Sequence, residues 1–165
     1  MKKVILYVWW NFECVIHYEF VENWKSINSK LYVEYLERML FSLYSKYLLF
    51  ETDKFYLEQD DTNPHTPKNT FNYINSVDEL ELIPHPTYSP DLVPSDYYLF
   101  RSFVHFLKGN TFNNLEQVQD IVNNFFDSKS PEWVSKGIFE LTEKWVKTIE
   151  HDGSYFDIYS FFLFF

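Results

Sequence analysis

The sequence predicts an α/β domain with a helical C-terminal half. Two observations carry this. The N-terminal segment alternates its apolar residues with the period of strands, and the middle of the chain switches between helical and strand spacing. A third is that the apolar spacing is helical through the last part of the chain.

KKVILYVWW is a dense run of β-branched and aromatic residues and reads as a buried strand. A polar break at Asn11 and Glu13 follows. In CVIHYEFV, Val15, His17, Glu19 and Val21 alternate with Ile16, Tyr18 and Phe20, so a second strand is expected, paired to the first as a hairpin. From Asn28 the period changes. Leu31, Tyr35, Leu36, Met39, Leu40 and Leu43 share one helical face, with Asn28 or Ser29 placed to cap it. KFYLEQ, at 54–59, is the next strand and ends at Asp60-Asp61. NPHTPKNTFNYINS holds a short helix, and ELELIPHP is a further strand with Leu80, Leu82 and Pro84 on one side. A helix over 97–107 stops at Gly109, a natural C-cap. Asn114 caps a helix carrying Leu115, Val118, Ile121, Val122 and Phe125. Ser130-Pro131 starts a last helix with Trp133, Ile138, Leu141, Trp145 and Ile149, and Gly153 lies past its end.

The 165 residues suffice for one domain and one sizeable core. Aromatic residues make up 22%, alanine is absent, and the only arginines are Arg38 and Arg101. This pattern reads as AT-rich codon usage acting on a weakly constrained sequence. The net charge of −10 opposes a broad nucleic-acid surface, so any such binding must be argued from a site. Cys14 is the only cysteine, which rules out an internal disulfide and fits a small buried hydrophobe in a reducing compartment. Met1-Lys2-Lys3 before an apolar run imitates a signal peptide, yet Asn11 and Glu13 interrupt it and a strand is the better reading. YSFFLFF at the C-terminus is too short to span a bilayer and reads as a sticky apolar tail.

Two acidic positions stand where ligands gather in α/β sheets, outside the carboxyl ends of strands. Asp60-Asp61 follows the strand at 54–59, and Asp96 opens a helix after the strand ELELI. Carboxylates brought there from different elements can hold Mg²⁺, and paired metals can clamp a phosphodiester. Each also has an ordinary reading: Asp60-Asp61 as turn residues, and Asp91 and Asp96 as helix caps. Other chemistries lack their patterns. The five histidines show no HExxH spacing, three glycines cannot build a phosphate loop, and Ser89 and Ser95 lack a nucleophile elbow. His65 either orients a phosphate or carboxylate, or simply starts a helix.

HPTYSPDLVPSDYYLFRSF closely resembles the signature of mariner-type transposases. LEQDDTNPH resembles their QDN block, KKVILYVWWNFECVIHYEFV their strand pair, INSKLYVEYLERM their next helix, and GIFELTEKWVKTIEHDGSYFD their C-terminal region. The resemblance runs from Lys2 to about Asp157 and extends to the mariner-derived half of SET-domain/mariner fusion proteins. It implies an RNase H-like fold over 1–157, with 158–165 as a tail outside it. It also implies DNA cutting and joining by a DDD motif with Mg²⁺ or Mn²⁺. Residue by residue, Asp96 takes the position of the third aspartate and Asp60 that of the second, both as metal ligands, while Asp91 is not catalytic. Asp61 stands where the family has Asn. One residue more separates Asp60 from Asp96 than in the family, so Asp61 would restore the spacing, but Asp60 keeps the register with Pro64 and His65.

The family's first aspartate lies on a strand upstream of KKVILYVWW. The expectation is therefore an incomplete RNase H-like fold, a mixed sheet with flanking helices that lacks its first, central strand, leaving two exposed sheet edges. By family, the partners are transposon-end DNA and a homo- or hetero-dimer with transposase, the location is the nucleus, and no membrane is involved. Three readings follow: a truncated transposase catalytic domain inactive alone, a non-catalytic protein that pairs with a full-length transposase, or a product of a degraded element with no function.

Overall fold

A computed structural model describes residues 4–21, 27–47, 54–59, 67–86 and 89–152. β1 (Ile5–Trp10) and β2 (Val15–Val21) form the expected antiparallel hairpin. Asn11 closes its turn, its Oδ1 accepting from the amides of Glu13 and Cys14 at 2.9 Å each. The pairing slips by one residue between Trp9 and Trp10, a bulge that re-aims the side chain after it. Strand alternation decides what each side chain meets. Tyr7 and Trp9 turn to one face, where Tyr7 packs on Tyr32 and Tyr35. Tyr18 turns to the other, where it bonds Asn123 and packs 5.4 Å from Phe126.

α1 (Ser29–Lys46) covers the first face. Asn28 caps it by accepting from the Leu31 amide at 3.0 Å. Tyr35, Leu36, Met39, Leu40 and Leu43 are buried as their spacing predicts, and Tyr32 is buried where Leu31 is only partly so. Arg38 forks onto Glu19 of β2 at 2.5 and 2.7 Å, fixing α1 on the hairpin. β3 (Phe55–Glu58) and β4 (Leu80–Ile83) pair in parallel across α2 (Lys68–Ile74). Leu80 and Leu82 face the core together, as expected.

The helical half covers the opposite face. A 3₁₀ turn at Pro90–Leu92 leads into a π-helical segment, Ser95–Phe100, which continues as α3 (Arg101–Leu107). The single helix expected over 97–107 is therefore two geometries, starting two residues earlier. Gly109 follows with φ 81°, a left-handed conformation that stops the helix at little cost. α4 (Leu115–Asp127) is capped by Asn114 and α5 (Pro131–Glu150) by Ser130. Phe125, Val122, Leu99 and Val134 are buried here, away from the α1 core. Trp145 and Ile149, expected on the packed face of α5, are 38% and 76% exposed.

Cys14 departs from expectation too. It is half-buried, with its Sγ 3.8 Å from Tyr47 Oη and 3.7 Å from Lys46 Nζ. No helix among the described residues is long and apolar enough to cross a membrane. The turn at Asp60-Asp61, the residues Pro64 and His65, and the tail at 158–165 lie outside the described residues.

Strand order carries one further fact. β1 bonds to β2 and β3 bonds to β4, giving two separate two-stranded sheets among the described residues. A cavity of about 790 Å³ lies between them, lined by both β1 and β3.

Candidate functional site

Asp96 stands in the first turn of the π-helical segment with its side chain at the surface. Its position is fixed by its neighbours. The Asp96 and Tyr97 amides both donate to the Val93 carbonyl, at 2.9 and 3.1 Å, which winds the chain immediately after Pro94. Trp10, re-aimed by the bulge, donates its Nε1–H to Ser95 Oγ at 3.0 Å. Tyr97 donates its hydroxyl to the Gly137 carbonyl of α5 at 2.9 Å. Gly137 itself is buried, and a Cβ there would lie 2.8 Å from Trp10 Cη2 and closer still to the Tyr98 ring. Hydrogen alone at that position lets β1, the Asp96 helix and α5 converge. π-Helical turns are rare and, where they occur, frequently stand at functional sites.

A second pair stands at the carboxyl ends of the parallel strands. Glu58 ends β3, and His85 follows β4 with its Nδ1 3.5 Å from Glu58 Oε1. That contact is not a hydrogen bond, and Nδ1 is buried without a hydrogen-bond partner among the described residues. Burial pushes the Glu58 carboxyl up to about 7. Tyr32 Oη donates to Gln59 Oε1 at 2.8 Å, anchoring the residue immediately before Asp60. Burial also raises the Tyr97 hydroxyl, with the charges of Glu140 and Glu58 adding to it.

The Glu58 shift sets a pH dependence. The folded chain holds a proton that the unfolded chain releases at about 4.5, so stability falls as pH rises from there to about 7. Glu58→Gln should therefore leave stability unchanged near pH 4 and raise it by about 1–2 kcal/mol near pH 8, the shift being discounted for partial exposure. Urea titrations at the two pH values test this, and equal effects at both would show a well-hydrated Glu58.

Asp91 lies inside the 3₁₀ turn, whose N-cap position is Ser89, so it is a turn residue and not the helix cap expected. Its Oδ1 is buried without a hydrogen-bond partner among the described residues. Its charge acts on Lys144, whose ammonium is pushed down mainly by burial and sits 4.4 Å over the Tyr97 ring. No group of three or more His, Cys, Asp or Glu side chains among the described residues could hold a metal ion. Asp96 offers one hard oxygen donor of the kind Mg²⁺ takes, and Asp60 lies outside the described residues. Sequence reasoning passed over Trp10, Tyr97, Gly137 and the Glu58–His85 pair. Only Gly137 carried a signal: an interior helix glycine in a chain with three glycines.

Residues 1–48 match the family described as "Transposase (partial DDE domain)". The chain is 33% identical over 157 residues to human histone-lysine N-methyltransferase SETMAR, covering 94% of the chain and 23% of that protein. It is 32% identical over 158 residues to Mos1 mariner transposase of Drosophila mauritiana, covering 94% of the chain and 46% of that protein. The chain thus spans less than half the length of either relative. Among solved structures, the Mos1 catalytic domain with raltegravir and Mn superposes with a TM-score of 0.89 at 32% identity, covering 94% of this chain and 78% of that one. A Mos1 paired-end complex with the left transposon end superposes at 0.88 and 33% identity, covering 94% and 45%.

Proposed function

Because the chain belongs to the mariner-type transposase family, we propose that it is part of a transposase catalytic domain built to cut and join transposon-end DNA. Its mixed α/β fold is RNase H-like, as in the Mos1 catalytic domain. The observation that carries the proposal is the placing of Asp96. Trp10, Ser95, Tyr97 and Gly137 spend a close three-element junction on presenting one surface carboxylate. Asp60 would supply the second carboxylate, two residues beyond the end of β3. Mg²⁺ or Mn²⁺ held by this pair would supply charge stabilisation for the phosphodiester oxygens. Transposon-end DNA is the partner, a homo- or hetero-dimer with transposase the assembly and the nucleus the place of action.

The 165-residue chain by itself is proposed not to cut DNA. The cavity between β1 and β3 is where we place the family's aspartate-bearing strand, and no cluster of three metal ligands is present among the described residues. Isothermal titration with Mn²⁺ should show weak binding that Asp96→Asn abolishes, and a nicking assay on transposon-end DNA should show no cleavage. Unchanged Mn²⁺ binding in Asp96→Asn removes the ligand role. Cleavage by the parent chain that Asp96→Asn abolishes overturns the inactivity while keeping the site.

The facing sheet edges favour a second reading, a non-catalytic protein that pairs with an intact transposase. Co-purification with a full-length relative would support it, and a clean monomer in that mixture would count against it.

A further inference from the structure

Three cations meet beside the Asp96 corner. Lys144 of α5 sits 4.4 Å over the Tyr97 ring, and Tyr97 is the residue next to Asp96. Arg101 stands about one turn after Tyr97 in the same run of helix, and Lys147 one turn after Lys144 in α5. The three charges interact. Burial is the main cause of the lowered Lys144 ammonium, Asp91 and Glu140 oppose it, and Lys147 and Arg101 push it further down.

None of the three forms an ion pair among the described residues. Asp91 acts on Lys144 from beyond ion-pair distance. Glu140 is 3.8 Å from Lys136, and Glu143, one turn before Lys147, makes no ion pair with it. The chain has only two arginines and a net charge of −10. Arg38 is held by Glu19, while Arg101 is exposed at the start of α3. Like charges gathered without a paired carboxylate repel one another, and a bound polyanion reverses that repulsion. Arginine suits phosphate in particular, because its planar fork donates two parallel hydrogen bonds.

We propose that Arg101, Lys144 and Lys147 form a phosphate track that holds the DNA backbone alongside Asp96. The track rests on the cutting reading of that corner, since a carboxylate that directs metal to a phosphodiester needs the strand held beside it. The net charge of −10 opposes a broad basic face. A track of three side chains on two helices needs no such face. Contacts to phosphates position a strand without reading its sequence, so the track holds any duplex equally.

Fluorescence anisotropy of the full chain with a short labelled duplex tests it. Three phosphate contacts give a slope of about −2.7 in log affinity against log salt, a fall of about 40-fold between roughly 50 and 200 mM. Transposon-end and scrambled duplexes should show the same slope. The double variant Arg101→Gln, Lys147→Gln should fall to about −0.9, and adding Lys144→Gln should abolish the dependence. Lys54→Gln, at the amino end of β3, should keep the parent slope. Lys144 touches Tyr97, so the exposed Arg101 and Lys147 carry the test should the triple variant unfold. A parent without salt dependence, or variants that keep the parent slope, overturn the track. So does equal binding of polyglutamate with the same loss in the variants, which would assign the cluster to an acidic protein. Titration with Mn²⁺ separates the two readings. A chain that binds Mn²⁺ through Asp96 but shows no slope loses only the track. A chain with the slope but no Mn²⁺ binding keeps the track and loses the metal site.

Discussion

Phe125→Ala is expected to lower stability by about 3–5 kcal/mol, the range for emptying a buried aromatic site. Phe125 is 0% exposed, and four rings frame it: Phe103 at 5.0 Å, Phe106 and Phe126 at 5.4 Å each and Trp133 at 6.0 Å. Lys129 adds its ammonium 4.3 Å from the ring centroid. The cost depends on how far the site can collapse. Here the frame comes from three helices, α3, α4 and α5, and flat rings cannot flow into the gap. The loss approaches the whole stability of a marginal domain and corresponds to a fall in Tm of about 6–20 °C. Urea denaturation measures it. Phe41→Ala, at an exposed position of α1, is the control and should stay within about 0.5 kcal/mol. A Phe125 variant as mild as that control would show the helical half to be loosely packed.

Gly137→Val is expected to cost about 2–3 kcal/mol, although two effects oppose each other. Removing a glycine from a helix interior gains up to about 1 kcal/mol of propensity. Against this, the first added carbon already lies 2.8 Å from the Trp10 indole and closer to Tyr98. Both rings are held, Trp10 by Ser95 and Tyr98 by a 4.6 Å packing against Trp133. Neither is the free end of a flexible chain, so α5 must move and the steric cost wins. The movement strains the Tyr97–Gly137 bond and with it the Asp96 corner. A shifted indole N–H resonance of Trp10 together with a lower urea midpoint is the expected pair of results. A stabilised variant with the Trp10 resonance unmoved would sink the argument.

The local features were legible because they are encoded locally. Asn28, Asn114 and Ser130 cap within three residues of themselves, and Gly109 terminates by its own backbone. The alternation in β2 was readable because two helical layers pull neighbouring side chains in opposite directions. The face of α1 followed from the 3.6-residue period. Asp96 stood out through the family signature, and its spacing alone would have left it a cap. What the sequence hid was non-local. Nothing near Trp10 announces Ser95, and nothing near Glu58 announces His85. The π-helical winding of Ser95–Phe100 lies beside Gly137 of α5, a non-local neighbour, and the apolar period predicted a plain α-helix. Cys14 was read by residue type, and its half-exposed place beside Lys46 and Tyr47 follows from the turn that α1 meets.

The bond from Trp10 to Ser95 spans 85 positions of sequence, and the same indole then rests on Gly137. A chain emerging from the ribosome makes its hairpin at once, since those contacts are close in sequence. The Asp96 junction has to wait until Gly137, in the second turn of α5, has been made. During that interval the hairpin and α1 are present, the hairpin's second face is uncovered, and the carboxylate has no fixed direction. The order of synthesis therefore delays the geometry on which any metal chemistry depends until α5 is under way.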